Sequence, residues 1–103
     1  MQEIVIQTSR DRVALDTAAA RELLIRIQHD PGEAHEPAAR ALQAALQDEN
    51  EPEVQWSEAE KGVALRALGE WLDDEGAAAV GNPPLALRME LMHDLGQLPE
   101  TDE

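Results

Sequence analysis

The chain has no cysteine, phenylalanine or tyrosine, only two tryptophans, and eight basic side chains against 22 acidic ones in 103 residues. Each shortage excludes something. Without cysteine there is no disulfide frame, no thiol nucleophile and no cysteine-based metal site. With 2% aromatic residues, the core must come from leucine, isoleucine, valine and alanine packed between helices. The deficit of lysine and arginine leaves a formal charge of −14 and removes the clustered cations that phosphate-backbone binding needs. Direct nucleic-acid binding is therefore not expected. No run approaches the ~20 apolar residues of a membrane span. The first ten residues, MQEIVIQTSR, lack the basic and apolar stretches of a signal peptide. These features point to a cytoplasmic protein that does not bind membranes.

What is present is a 43% hydrophobic content of ordinary globular kind, in a length that supports one modest core. The clearest element is 56–72, WSEAEKGVALRALGEWL. Ser57 followed by Glu60 is a capping-box spacing, in which serine oxygen and glutamate carboxylate each accept from the other's amide. Ala64, Leu65, Ala67, Leu68, Trp71 and Leu72 then recur at the helical period, opposite Arg66, Glu70 and Asp73. Trp56 and Trp71 are expected in the core, since an indole is among the largest contributions a small core can receive. A hydrophobic staple from Trp56 would have to meet Lys61, of which only the stem is apolar. Gly62, Gly69 and Gly76 lie seven apart, which suggests either a smooth strip for close approach or glycines merely tolerated, with Gly76 ending the helix. The second is preferred, because the close-approach motif is established mainly for membrane helices.

The order of the chain predicts short strands over 3–7 and 13–15, joined as a hairpin by a five-residue connection. A helix capped by Asp16 or Thr17 follows to about Gln28, with Ala20, Leu23, Leu24 and Ile27 inward and Ile25 off the stripe. The residues around Pro31 and Gly32 stop it. A second, alanine-rich helix opens at Pro37 and runs to about Asp48, with Ala38, Ala41, Leu42, Ala45 and Leu46 inward. An acidic connection around Pro52 leads to a third strand, 54–56, and then to the long helix. Residues 77–81 read as a small-residue linker. Asn82 and Pro83 form a helix opening, and a last helix runs to about Leu95 with Gly96 as its stop.

The fold class expected is α+β, mainly α, with about three short strands packed on four helices. The domain spans 1–98, followed by an acidic tail at 99–103. The halves 1–49 and 50–98 each read as strand–helix–helix, as in an internal duplication whose two strands would pair. The acidity is uneven: residues 50–103 carry thirteen acidic and three basic side chains, against nine and five before them.

No catalytic or ligand signature stands out. His29, Asp30, Glu33, His35 and Glu36 form the densest group of metal-type ligands, but their spacing matches no metal motif and falls in a helix–helix turn. No metal or cofactor is assigned. His93 and Asp94 are adjacent on a helix, so they point about 100° apart and do not make a catalytic pair. The last helix is more informative. Leu85, Leu87, Met89, Leu91, Met92 and Leu95 cover more than half its circumference, with Arg88 inside the arc, which is wider than docking on one neighbour requires. Methionine and arginine suit adaptable interfaces.

Leu87, Arg88, Met89, Leu91 and Met92 are therefore the candidate partner-binding residues. The function expected is a non-enzymatic protein–protein interaction module that binds a partner protein or a second copy of itself. Two alternatives stand beside it. One is an acidic inhibitor, immunity-type or nucleic-acid-mimic protein covering a basic target site. The other is a small metal-dependent enzyme using the His29–Glu36 cluster.

Overall fold

The computed structural model describes residues 3–30, 34–48, 50 and 53–96. Strand β1 (Glu3–Gln7) pairs antiparallel with β2 (Arg12–Asp16) and parallel with β3 (Glu53–Gln55), in the order β2-β1-β3. Around this sheet run α1 (Thr17–Gln28), α2 (His35–Gln47), α3 (Glu58–Glu75), the short α4 (Ala77–Val80) and α5 (Pro84–Asp94). The fold is α+β and mainly helical, with five helices among the described residues because the stretch after Gly76 is not a plain linker. Its alanines are strong helix formers, and the turn they make carries Val80 into the core.

Register explains which face of the sheet is buried. Ile4 lies opposite Leu15, and Ile6 opposite both Val13 and Val54, so these five side chains share one face and all are buried. The hairpin connection is Thr8 to Asp11, one residue shorter than expected, because Thr8 closes it locally. Its N–H and hydroxyl both donate to the Asp11 carbonyl, at 2.9 and 2.8 Å. The strand order corrects the pairing expected of a duplicated chain. β2 and β3 lie on opposite sides of β1, a strand with no counterpart in the second half, so strand pairing gives a duplication no support. β3 also ends at Gln55, and Trp56 turns inward instead of extending it.

Helix starts follow their local chemistry. Asp16 caps α1 by accepting from the Ala19 N–H at 2.7 Å. Ser57 and Glu60 form the full capping box at α3, which contributes about 1 kcal/mol. The start of α5 departs from expectation: Asn82 makes no cap, the Asn82–Pro83 bond is cis, and Pro84 is the first helical residue. Helix α3 packs against every other helix. Its buried stripe is Val63, Ala64, Ala67, Leu68 and Trp71, with Leu65 and Leu72 half-buried. Both tryptophans are buried. The Trp56 indole N–H donates to the Ala38 carbonyl of α2 at 3.1 Å, while Lys61 sends its ammonium to Asp94. The buried stripe of α2 gains Ala39, and Ala41 and Leu46 are only half-buried.

The glycines of α3 are tolerated rather than needed. A methyl group at Gly69 would meet no atom within 4 Å, and one at Gly62 would just reach Arg66 Nη1 at 4.0 Å. Gly76, at φ 85°, is the position where the helix end requires glycine. Gly69→Ala is accordingly expected to raise the unfolding free energy by up to about 1 kcal/mol, since alanine narrows the unfolded ensemble at no steric cost. Urea denaturation checks this, and a destabilised Gly69→Ala variant would show a close approach that these distances do not contain.

Candidate protein-binding surface

Helix α5 divides its wide apolar arc between two roles. Leu87 and Leu91 are fully buried in the domain's own core, together with Pro84. Advancing about 100° per residue, Arg88, Met92, Leu85 and Met89 follow one another round one flank, away from that buried line. Leu85 and Met92 are half-buried, and Met89 is 49% exposed. Arg88 lies within this flank, and its Nε is buried with no hydrogen-bond acceptor among the described residues. A buried donor without an acceptor costs about 1–3 kcal/mol, so such a group calls for an explanation. Of the five residues singled out in the sequence, the structure thus groups Arg88, Met89 and Met92 and places Leu87 and Leu91 behind them.

The opposite flank of α5 is polar and occupied. Glu90 receives Arg10 of the hairpin connection in a two-pronged contact, at 3.1 and 3.0 Å. Asp94, whose side chain is 2% exposed, accepts from Lys61 Nζ at 2.9 Å and from the Ser9 N–H at 3.0 Å. It also accepts from the Ser9 hydroxyl. Burial would raise its pKa, but these hydrogen bonds from Lys61 and Ser9 outweigh that and hold it at about 2. One carboxylate therefore ties α5 to α3 and to the hairpin. It sits at the negative end of its own helix, where local rules disfavour an acid. This linkage was not visible in the sequence, because any of many acids could have taken Lys61.

The other candidate ligands are spoken for or scattered. Asp30 is buried and grips Arg66 of α3 through Nε and Nη2, both at 3.1 Å. That pairing holds the guanidinium more firmly protonated than usual, mainly through the Asp30 hydrogen bonds. His29 caps the end of α1 through its backbone N–H, while His35 and Glu36 open α2. Glu33 lies outside the described residues. Among the described residues no three histidine or acidic side chains are placed to hold a metal ion. His93 Nδ1 stands 3.8 Å from Asp94, beyond hydrogen-bond reach. Ile25 of α1 is exposed. Among the described residues no helix is long and apolar enough to cross a membrane.

No protein-family model matches the chain, and no curated protein or solved structure matches it at a significant level.

Proposed function

We propose that this domain is a non-enzymatic protein-binding module that presents the outer flank of α5 to a partner protein. The observation that carries this reading is the unfinished burial of one continuous flank. Leu85 and Met92 are half-covered, Met89 is exposed, and an arginine among them has a buried nitrogen without an acceptor among the described residues. A partner that covers Met89 and the half-covered Leu85 and Met92 completes that burial. The charge of −14 makes a second copy of this chain a poorer occupant than another protein, since like charges repel on approach.

The test is a comparison of wild type with Met89→Glu and with Met89→Glu/Met92→Glu. Met89 is exposed, so the single change is expected to alter stability by less than about 0.5 kcal/mol. The double variant should lose a partner that wild type retains at high salt, with an unchanged circular dichroism spectrum. Sedimentation of the purified proteins reports self-association in parallel. A double variant that keeps the wild-type partner and the wild-type oligomeric state overturns the proposal.

A further inference from the structure

A second surface lies at the other end of α5 and rests on different residues, apart from Pro84. The start of α1, the end of α3, α4 and the turn into α5 enclose a cleft of about 270 Å³. Trp71, Val80 and Pro84 contribute apolar side chains to it, and Asp16, Glu22 and Glu75 bring carboxylates. No lysine, arginine or histidine lines it. We propose that this cleft receives a cationic side chain from a basic segment of a partner protein.

Concavity comes first. Four chain segments converge to leave room lined by both apolar side chains and carboxylates, the setting in which a few polar groups fix a ligand's orientation. The electrostatics select the ligand. A single guanidinium, Arg26, serves three carboxylates: Glu22 and Asp74 at 2.8 Å, and Glu75 at 3.5 Å. Hydrogen bonding, from Asp74 first and then Glu22, outweighs burial and raises the Arg26 pKa, so the group stays charged but is fully shared. Glu75 also accepts from the Trp71 indole at 3.3 Å, and among the described residues the Asp16 carboxylate meets no cation and accepts from the Ala19 N–H.

Three acids, Asp73, Asp74 and Glu75, moreover end α3 at the negative pole of its dipole, with no basic residue in that last turn. Local rules disfavour this arrangement, and departures of that kind concentrate where function requires them.

An arginine or lysine side chain, with an apolar stem and a charged head, fits this lining on both counts. The indole of Trp71 adds a cation–π partner. A bare metal ion fits poorly, because among the described residues no three acidic or histidine side chains are placed to hold one. A second copy of the chain is disfavoured by the same charge of −14.

The experiment is a nitrogen-15 NMR titration at low and high salt with two blocked pentapeptides, Gly-Leu-Arg-Leu-Gly and its Arg-to-Gln counterpart, and with arginine amide. The arginine peptide should move the Trp71 indole N–H and the Val80 amide saturably and leave the Trp56 indole in place. It should bind about tenfold more tightly than the glutamine peptide at low salt, with the ratio shrinking at high salt. Ala18→Leu, an exposed helical position on the cleft wall, should weaken it by about tenfold through occlusion alone. Equal binding of the two peptides, an unmoved Trp71 signal, or an unaffected Ala18→Leu variant would each overturn the proposal. So would arginine amide binding as tightly as the peptide, which would make the ligand a small free cation. Met89→Glu should leave this titration unchanged, so the two surfaces can fail separately.

Discussion

Trp56→Ala should lower the unfolding free energy by about 3–5 kcal/mol, the cost typical of removing a buried indole and leaving a cavity. Trp56 is 6% exposed and follows directly on β3. Its indole N–H reaches the α2 carbonyl of Ala38. One side chain therefore joins the sheet edge, the start of α3 and the flank of α2, which limits how far the surroundings can close over its absence. For a domain of ordinary stability, about 5–15 kcal/mol in total, such a loss leaves a marginal fold. The expected fall in melting temperature is at least about 12 °C, taking about 4 °C per kcal/mol as the lower slope for a domain near this size. Trp56→Phe separates the contributions, since it retains most of the apolar volume and loses the hydrogen bond, worth about 0.5–1.5 kcal/mol. Urea denaturation followed by circular dichroism measures both variants. A loss below about 1 kcal/mol in Trp56→Ala would mean that this indole does not fill the core.

The second large effect is acid sensitivity through Asp94. Its carboxyl titrates at about 2 in the folded protein, against an ordinary 3.8. The folded value is depressed, so the stabilisation is complete above the unfolded pKa and is lost as pH falls through the folded one. Between about pH 4 and pH 2 this single group should remove on the order of 2 kcal/mol. Asp94→Ala at neutral pH should cost somewhat more, about 3 kcal/mol, because it also strands Lys61 and the Ser9 N–H. The cost stays at the low end for a broken buried pair, since Lys61 retains some access to water. Other carboxylates titrate in the same range, so the informative quantity is the difference between wild type and Asp94→Asn. That difference should be large near pH 6 and shrink toward zero near pH 2. Parallel curves across the range would show that Asp94 carries no linked stability.

These two residues also show where sequence information stopped. The importance of Trp56 was legible, because a lone aromatic before a capping box has few places to go but inward. Asp94 was legible only as a neighbour of His93, a relation the helix geometry makes unimportant. Its true partners lie 33 and 85 positions away. The same division runs through the candidate surface. The width of the apolar arc on α5 was readable from spacing, whereas its division into buried Leu87 and Leu91, half-covered Met92 and exposed Met89 depends on where α3 and the hairpin press against it.

By itself, then, the sequence determined what local chemistry encodes within a few residues. This includes the Asp16 and Ser57 caps, the helical periods of α1 and α3, the apolar strand at β1 and the stop at Gly76. Tertiary structure alone decided the order β2-β1-β3, the inward turn of Val80, the pairing of Arg66 with Asp30 and of Lys61 with Asp94, and the cleft beside Trp71. The physical reason is range. Capping and periodicity act between residues one to four apart and leave a pattern in the chain. An ion pair among 22 acids and eight bases, or a neighbour in a sheet, is chosen only when packing brings distant segments together.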